Sequence, residues 1–358
     1  MSTATLSPPR TKTVVATPPS RIPRLVWALS GINLAVVIGT LLLVFVVSEH
    51  WWVSTAITYL PRSPWAIPSL VLAVAGLIWH RPSLWINLIA FLMVLGPLME
   101  FRAPGFTGSF VTTTPTQTAA LRIVSCNVQG YKPNFADVLR EVHQFQPDVV
   151  ALQEARGNHP LLKESFPDWH TLHYDYFFVA SKFPLREISH IDTEAFDRPT
   201  GLLIEITTPD GPIVLADIHQ MTARRGLQSI HKGSLLSGEA GGDVESFQIL
   251  RAAECAELRQ AIDSQVEGRP LIVCGDFNTP TSSTLFQEYW GDLRSSFDIA
   301  GIGFGYTSPV KVHSNWPAYM PWARIDHILC SPEWSIRQCT IGRSIGSDHH
   351  LIAAELAR

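Results

Sequence analysis

The sequence predicts an α/β sandwich preceded by a transmembrane helical region, and three observations lead to this fold class. Residues 25–47 form an apolar run of 23 residues without a charge. From residue 121 onward, short β-type runs alternate with turns and amphipathic helices. Many strands with a few interspersed helices favour two packed sheets that carry their helices on the outside.

Residues 25–101 are predicted to form about three transmembrane helices. The run 25–47 is long enough, at 1.5 Å per residue, to cross a hydrocarbon core of about 30 Å. It is too long for the core of a typical signal peptide, and further apolar segments follow it, so we expect an anchor rather than a cleaved signal. The shorter segments 65–79 and 84–98 are interpreted either as two tilted helices or as a re-entrant pair.

The charge distribution predicts the orientation of this region. Residues 1–24 form a tail rich in Pro, Ser and Thr, which we expect to be disordered. Its basic residues are Arg10, Lys12, Arg21 and Arg24. By the positive-inside rule this tail stays in the cytoplasm. We therefore expect a multi-pass membrane protein in which the chain after residue 104 lies outside the cytoplasm.

The rest of the chain is acidic. Residues 1–120 hold seven Lys and Arg and two acids, whereas residues 121–358 hold 20 Lys and Arg and 29 acids, a net charge near −9. Such a domain is expected to bind nucleic acid poorly, because cations that contact phosphates supply most of the non-specific affinity. A local basic groove stays open as an alternative.

The cysteines indicate packing rather than metal binding. They are Cys126, Cys255, Cys274, Cys330 and Cys339. Their spacing matches no zinc-finger pattern, and an odd number excludes complete pairing within the chain. Most lie in apolar runs, so we expect small core residues, and one disulfide stays open.

A linker rich in Gly, Pro and Thr, residues 102–120, is predicted to precede the first strand. The stretch "LRIVSCN" (121–127) is predicted as a buried strand and 147–155 as the next strand. Between them, 135–145 is predicted as a helix, because its apolar side chains recur on one stripe and Asn134 is a suitable N-cap.

The second half of the domain continues this pattern. The stretch "GLLIEITTPDGPIVLADIH" (201–219) is predicted as a hairpin that turns at Pro-Asp-Gly. A long helix over 244–266 precedes the strand in "RPLIVCGDFN". Three further strands end the chain, in "RIDHILCS", "SIRQCTIG" and "HHLIAAEL", and the last is predicted to begin at residue 349.

Polar side chains stand at the ends of these predicted strands, where a rigid scaffold can present them. Taken singly, each is typical of a turn or a solvated strand end. Taken together, they form a candidate catalytic set. Its members are Asn127, Glu154, Asp276, Asn278, Asp326, Asp348 and His349.

Seven motifs in order make residues 121–358 resemble the endonuclease/exonuclease/phosphatase superfamily. They are SCNVQG, ALQEA, ASKFPL, ADIHQ, GDFN, RIDHIL and SDHHL, and the resemblance covers about two thirds of the chain. This superfamily includes DNase I, abasic-site endonucleases, neutral sphingomyelinases and inositol polyphosphate 5-phosphatases. The resemblance implies a four-layered α/β sandwich of the DNase I type and a metal-dependent hydrolase of phosphoesters.

The resemblance implies Mg²⁺, or Mn²⁺ in its place, bound chiefly by Glu154, with Asn127 and Asp348 near the metal. Carboxylate and amide oxygens suit Mg²⁺, which keeps several waters and binds substrate phosphate directly. The ion would polarise a phosphoryl oxygen and stabilise the leaving oxygen.

The resemblance also implies catalytic roles for five residues. Asp276 matches the residue that orients or deprotonates the attacking water, and Asn278 the one that hydrogen-bonds the phosphate. His219 matches a histidine that the nuclease and sphingomyelinase branches use near the scissile phosphate. His349 is expected to contact the phosphate or transfer a proton, paired with Asp326, which favours the imidazolium.

One of the two adjacent histidines is expected to act in this site. In a strand that begins at residue 349, His349 and His350 point to opposite faces. The Ser-Asp-His pattern of the superfamily selects His349, which leaves His350 as a structural or exposed neighbour. Leu351 replaces the proline that the superfamily often has there, a departure that bears on backbone shape and not on the catalytic set.

Two stretches bear on the substrate. The Gly- and Ser-rich segment 221–243 carries Arg224, Arg225 and Lys232, and it is interpreted either as a solvated loop or as a flap that clamps phosphate charge. The segment 313–326 carries several aromatic side chains, which either pack in the core or contact lipid.

The membrane tether, the acidic outer domain and the cationic segment favour a lipid-linked phosphate or pyrophosphate, or a phospholipid head group. The layout also resembles membrane-anchored bacterial members of the superfamily, including VanJ-like glycopeptide-resistance proteins, which implies a polyprenyl pyrophosphate. Two alternatives stay open, an extracytoplasmic nuclease and a non-catalytic membrane scaffold. Phosphomonoesterase and phosphodiesterase action are not distinguished, because both use in-line attack at a metal-bound phosphate.

Overall fold

The computed structural model describes residues 21–103, 120–132, 134–194, 198–230, 240–310, 320–343 and 346–358. The predicted tail up to residue 20 and nearly all of the predicted linker lie outside these residues. Lys232 and residues 313–319 of the aromatic segment 313–326 also lie outside them.

The N-terminal region is mainly helical, as expected for apolar chain that must satisfy its backbone hydrogen bonds internally. Helix α1 begins at Arg21, four residues before the predicted boundary. Its bounds and those of the following segments are α1 (Arg21–Leu42), a π-helical turn (Leu43–Val47), a 3₁₀ turn (Ser48–His50), α2 (Trp52–Tyr59), α3 (Ala66–Trp79), α4 (Arg81–Met93) and a second π-helical turn (Val94–Leu98).

Two helical segments of this region are long and apolar enough to cross a membrane. Residues 21–50 reach a mean hydropathy of 2.4, and residues 81–98 reach 1.4. Helix α2 and residues 63–79 would together make a third passage, and they meet at a bend of 95°. The region therefore has the length and composition of a membrane anchor.

The remainder of the chain forms two six-stranded sheets. The first contains β1 (Leu121–Asn127), β2 (Val149–Gln153), β3 (His170–Tyr174), β4 (Phe177–Ser181), β11 (Ser335–Ile341) and β12 (Ile352–Ala357). The order across it is β11-β12-β1-β2-β4-β3. At its centre β1 lies parallel to β2 and antiparallel to β12.

The second sheet repeats this plan. It contains β5 (Leu185–Asp192), β6 (Pro199–Thr208), β7 (Gly211–His219), β8 (Leu271–Asp276), β9 (Arg294–Ser295) and β10 (Asp326–Cys330). The order is β5-β6-β7-β8-β10-β9, with β7 parallel to β8. Strands β6 and β7 form the predicted hairpin, which turns at residues 209–210.

The described residues of this domain also form six α-helices. They are α5 (Phe135–Gln144), α6 (Pro160–Ser165), α7 (Arg224–Gln228), α8 (Ala240–Val266), α9 (Thr284–Trp290) and α10 (Ser296–Ala300). Helix α5 packs on the first sheet through Val138 and Leu139. Helix α8 packs on the second sheet through Leu258 and Ile262. Since both sheets also share an apolar core between them, the predicted four-layered sandwich is confirmed.

The last strand corrects one prediction. It begins at Ile352 rather than at residue 349, so His349 and His350 precede the strand. The backbone there bonds a neighbouring loop instead of a sheet partner, because His350 donates its N–H to Thr307 and the Asp348 carbonyl accepts from Val310. Strand alternation therefore does not separate the two histidines, although their surroundings differ.

All five cysteines are free and buried. Burial in apolar surroundings raises the pKa of each thiol, to about 12 for Cys255, Cys330 and Cys339. The expectation of small core residues is confirmed, and the fold contains no disulfide.

Buried ion pairs join the anchor to the sandwich. Glu100, which follows the second π-helical turn, lies 3.3 Å from the Arg62 guanidinium of the anchor. It also lies 3.5 Å from Arg324, which precedes β10. Arg324 in turn pairs with Asp298 at 2.6 Å. The sandwich is thus fixed against the anchor by charges shielded from water.

Candidate active site

The sheet topology explains why the polar strand ends meet. The parallel pairs β1–β2 and β7–β8 direct their carboxyl ends to one edge of the sandwich. Asn127 ends β1 and His219 ends β7, while Glu154 directly follows β2. Asp276 ends β8 and pairs in register with Asp326, the first residue of the antiparallel strand β10.

Asn127 links the two sheets at this edge. Its side-chain amide donates to Glu154 Oε1 at 3.1 Å and to Asp276 Oδ2 at 3.0 Å. Its Oδ1 accepts from the backbone N–H of Gln129 at 3.0 Å. Asn127 therefore holds the two carboxylates side by side, and its role near a metal stays a prediction.

His349 is held by Asp326 in a buried pair. Its Nδ1 lies 2.8 Å from Asp326 Oδ2. Its Nε2 lies 3.8 Å from Asp276 Oδ2 and 3.3 Å from the hydroxyl of Ser308. Burial alone lowers the pKa of His349, but the adjacent carboxylates of Asp326 and Asp276 outweigh it and raise the pKa well above its ordinary value. This histidine is therefore an imidazolium at neutral pH.

Asp276 lies at the centre of the set. Burial raises its pKa to about 7, an effect that the imidazolium of His349 opposes. Its Oδ1 accepts from the backbone N–H of Asn278 at 2.9 Å. The Asn278 amide donates to the Gln220 carbonyl at 2.9 Å, which ties the loop after β8 to the loop after β7. Asp276 has the protonation behaviour expected of a group that orients or deprotonates water at neutral pH.

His219 lies beside the carboxylates of Asp276 and Glu154, and its pKa is shifted in the direction opposite to that of His349. Its Nε2 lies 3.5 Å from Asp276 Oδ2 and 3.8 Å from Glu154 Oε1. Burial, together with the positive charges of Arg198 and His349, lowers its pKa well below the ordinary value. His219 is therefore a neutral imidazole beside the charged His349.

The side chains of this edge fit a divalent cation. Glu154 exposes 37% of its side chain, whereas Asp276 exposes 2%. An accessible carboxylate next to a buried one suits Mg²⁺ or Mn²⁺, which take oxygen ligands and retain waters. Asp276, Asp326 and His349 form a second possible ligand set, whose ligand atoms lie within 4.8 Å of one another. In that set the bond between His349 and Asp326 already uses one ligand nitrogen, and the role of Glu154 as the principal ligand stays a prediction.

Asp348, the third predicted metal neighbour, is partly exposed beside the set. Its negative charge contributes to the raised pKa of His349, and its backbone carbonyl accepts from Val310. The structure thus brings every residue of the predicted catalytic and metal set to one edge of the sandwich.

The cationic segment divides into two parts. Arg224 and Arg225 are exposed on helix α7, a five-residue helix where the sequence predicted a loop. The long helix α8 begins at Ala240, four residues before the predicted start. Arg224 lines the cavity described below, while Lys232 lies outside the described residues.

Sequence reasoning missed three contributors to the site. Arg198 interacts electrostatically with Glu154 and Asp276, and its guanidinium lies 5.4 Å from the Tyr176 ring centroid. Ser347 and Thr307 hold the catalytic pair in place. Ser347 accepts from the His349 backbone N–H at 3.2 Å, and Thr307 accepts from that of Asp326 at 3.3 Å. Ser347 lies inside the SDHHL motif, so that motif carried a signal, whereas Arg198 and Thr307 follow no pattern in the sequence.

A cavity of about 490 Å³ opens beside these residues. Asn278, Ser308 and His349 lie at its catalytic end. The polar side chains of Thr222, Arg224 and Gln228 also line it. The rest of its wall combines apolar residues of the sandwich with the end of helix α2, and these residues are Tyr59, Leu60, Ala223, Leu227, Pro309, Trp322, Ala323 and Ile325. The cavity therefore extends from the catalytic edge to the N-terminal helical region.

Two packed sheets with acids, histidines and amides at one edge define the class of a metal-dependent phosphoester hydrolase. Residues 124–349 match the family described as the endonuclease/exonuclease/phosphatase family, and the chain belongs to that family. Its members are metal-dependent phosphodiesterases and phosphatases. The fold and reaction class implied by the sequence motifs are thereby confirmed.

Three similar proteins show what the chain resembles. The chain is 27% identical over 199 residues to protein angel homolog 2 of Danio rerio, a match that covers half of this chain. The chain spans about a third of the length of that relative. A structure of D. rerio TDP2 with a single-strand DNA product has a TM-score of 0.47 and 16% identity, over 67% of this chain and 100% of that one. The mannosyl-6-phosphatase Bt3783 of Bacteroides thetaiotaomicron has a TM-score of 0.46 and 14% identity, over 66% and 100%.

Proposed function

We propose that the protein is a membrane-anchored, divalent-metal-dependent hydrolase that acts on a lipid-linked phosphate or pyrophosphate, or on a phospholipid head group. The observation that carries this proposal is the cavity between the catalytic edge and helix α2. Its polar end contains Asn278 and His349, and its apolar wall continues to Tyr59 and Leu60 of the anchor. An amphiphilic substrate matches such a wall better than a fully charged polymer does.

The catalytic edge supplies each group that hydrolysis needs. Asp276 would orient the attacking water, and the His349 imidazolium would bind the phosphate oxygens or protonate the leaving group. Asn278 would donate a hydrogen bond to phosphate, once its amide leaves the Gln220 carbonyl. Mg²⁺ or Mn²⁺, held chiefly by Glu154, would supply charge neutralisation at the phosphoryl group.

The anchor and its charges support an orientation. With residues 21–50 as the first span and basic residues before it, the tail would stay in the cytoplasm. The sandwich would then lie outside the cytoplasm, as part of a multi-pass protein. In that position the cavity opens near the lipid head groups.

The proposal is tested with full-length protein in detergent and Mg²⁺ or Mn²⁺. A polyprenyl pyrophosphate, a phospholipid and plasmid DNA are assayed side by side for phosphate release, head-group release and nicking. We expect turnover of a lipid and none of DNA. Nicking that falls steeply with salt, without lipid turnover, would replace the proposal with the nuclease alternative. Metal binding with no turnover of any substrate would favour the scaffold alternative.

The two adjacent histidines provide the matched pair of variants. His349→Ala removes the imidazolium that pairs with Asp326, and we expect a loss of activity of about 100-fold or more. His350→Ala changes a side chain outside the catalytic set, and most of the activity should remain. Equal losses in the two variants would contradict the assignment of His349.

A further inference from the structure

Arg251 of helix α8 is a buried hydrogen-bonding centre between the anchor and the catalytic loops. Its side chain is 2% exposed. All five of its N–H donors are used, since Nε donates one bond and each terminal nitrogen donates two. The acceptors are the Met221 carbonyl (3.0 Å), the Tyr59 hydroxyl (2.8 Å), Gln248 Oε1 (2.8 Å), the Asn278 carbonyl (3.0 Å) and Thr279 Oγ1 (2.6 Å).

Three of these acceptors, on Met221, Asn278 and Thr279, belong to the loops that carry catalytic residues. Met221 lies two residues after His219, and its own N–H donates to Glu254 of α8 at 2.8 Å. Asn278 is itself a catalytic candidate, and its backbone φ of 49° places it in the left-handed region. Asparagine tolerates this region better than most side chains do, so the conformation by itself does not fix the loop. The Arg251 bonds to the Asn278 carbonyl and the Thr279 hydroxyl connect the loop to helix α8.

Arg251 also bonds the anchor, through the hydroxyl of Tyr59. Tyr59 ends helix α2, and its hydroxyl donates to Glu49 Oε1 at 2.6 Å. The guanidinium carbon of Arg251 also lies 4.9 Å from the Tyr59 ring centroid. The hydroxyl thus accepts from a cation and donates to a carboxylate, an arrangement that strengthens both bonds.

Glu49 completes the connection. It lies at the end of the first candidate span, and it accepts from the Thr284 backbone N–H at 3.1 Å and from the Thr284 hydroxyl at 2.7 Å, with a further bond from Ser283. Helix α9 begins at Thr284. The carboxylate therefore caps a helix of the sandwich while it orients Tyr59 toward Arg251.

We propose that the anchor is a working part of the active site, in which Glu49, Tyr59 and Arg251 are positioning residues for the Asn278 loop. The hydrogen bonds of the series Glu49–Tyr59–Arg251–Asn278 link the position of the anchor to the backbone carbonyl of Asn278 at the catalytic edge. Loss of one member leaves a buried donor or acceptor unpaired and frees the loop to leave its productive conformation. The inference rests on the hydrolytic site and does not depend on a lipid substrate.

The test compares two Tyr→Phe variants of full-length protein. Tyr59→Phe removes the hydroxyl between Arg251 and Glu49 but keeps the ring that lines the cavity. Tyr306→Phe is the matched control, because its hydroxyl also joins the sandwich to the anchor, at the Met99 carbonyl (2.9 Å), without contact to Arg251. Kinetics are measured with two water-soluble substrates, p-nitrophenyl phosphate and bis(p-nitrophenyl) phosphate, so that neither a wrong lipid assignment nor the choice between monoester and diester affects the result.

We expect Tyr59→Phe to lower kcat about 10-fold with KM changed less than about twofold, because a misplaced catalytic group weakens the transition state more than substrate binding. Tyr306→Phe should retain kcat within about twofold. Arg251→Lys, which keeps a charge but cannot form the fork, should lose at least as much as Tyr59→Phe. Equal kcat for the two Tyr→Phe variants would overturn the proposal.

A second measurement needs no turnover. Amide hydrogen exchange is followed for residues 276–279 in wild type and in both Tyr→Phe variants. Faster exchange of this segment in Tyr59→Phe alone supports the positioning role. Unchanged exchange, or the same increase in Tyr306→Phe, shows that the anchor does not control the loop.

Discussion

At the centre of the site, two buried histidines lie beside one carboxylate and differ in charge. His219 Nε2 is 3.5 Å and His349 Nε2 is 3.8 Å from Asp276 Oδ2. Asp326 stabilises the imidazolium of His349, whereas burial and Arg198 keep His219 neutral. The site thus holds a proton donor and a neutral imidazole on two sides of Asp276, an arrangement suited to acid and base work at one phosphate.

These residues show how far sequence reasoning reaches at this scale. Their identities followed from motifs, because each catalytic residue lies within a few positions of a recognisable strand end. The charge of His349 was expected from its pairing with Asp326, but the neutral state of His219 was not, since it depends on burial and on Arg198, which lies far from it along the chain. No local pattern reports such neighbours.

Glu254 gives the clearest pH prediction. Burial raises its pKa from about 4.5 to about 7 in the folded protein. Because the folded state keeps a proton that the unfolded chain has released, the free energy of unfolding falls as pH rises from about 4.5 to 7 and stays low above that. Glu254→Gln keeps an acceptor for Met221 and removes the charge. At pH 8 it should raise the free energy of unfolding by on the order of 3 kcal/mol and the unfolding midpoint by several degrees. At pH 5 both increases should be much smaller. The same shift at both pH values would show that the carboxyl does not titrate in this way.

At the scale of elements, strand β8 depends on one glycine to deliver Asp276. Gly275 has a φ of 135°, and a Cβ there would lie 2.0 Å from the Ile218 carbonyl oxygen of the parallel strand β7. A side chain would push these central strands apart at the point where both end in catalytic residues. Gly275 of the GDFN motif therefore permits the close approach of the β7 and β8 backbones, whereas Asp276 of the same motif is the candidate catalytic residue.

Gly275→Ala should destabilise the protein and abolish activity, because it combines an unfavourable backbone conformation with a clash that has no flexible partner. The control is Gly268→Ala, in the turn before β8, where φ is 74° but nothing lies within 4 Å of the added Cβ. That change should cost about 1 kcal/mol, and Gly275→Ala at least about 3 kcal/mol. Denaturant unfolding of both variants measures the difference, and similar values would exclude the clash as the cause.

The elements also show where local patterns are sufficient. Helix α5 was predicted to within one residue, since its apolar stripe packs on the first sheet as the periodicity requires. Asn134 takes the N-cap position, although its side chain bonds Asp137 rather than the helix backbone. The start of β12 was misplaced, because the segment before it is fixed by the loop at Thr307. A run that alternates like a strand does not reveal a competing partner elsewhere in the chain.

At the scale of the molecule, the anchor and the sandwich share buried charges. The sequence predicted a linker from residue 102, yet Arg102 forms a β-bridge with Gly303 and an ion pair with Asp298 at 2.9 Å. Arg324, with 0% exposure, lies between Asp298 and Glu100. The predicted domain boundaries follow the order of the elements along the chain. The anchor and the sandwich are nevertheless not structurally independent, because these ion pairs join them.

Glu100→Gln tests this coupling. It leaves two buried guanidinium groups, those of Arg62 and Arg324, without a shared carboxylate. We expect a loss of about 3 kcal/mol or more in unfolding free energy. The control Glu355→Gln breaks pairs that are partly exposed, with Arg122 at 3.6 Å and Arg337 at 3.8 Å, and should cost less than about 1 kcal/mol. Calorimetry in detergent measures both variants, and equal midpoints would mean that the junction contributes little to stability.

The burial of all five thiols has a practical consequence for membrane topology. A maleimide that cannot cross the bilayer should find no accessible native target in the folded protein, because each thiol is shielded and its pKa is raised. A single cysteine placed at an exposed position, such as Arg140 on helix α5, would then report by itself which side of the membrane the sandwich occupies. The native chain should therefore contribute no labelling signal when the side of the membrane is mapped in this way.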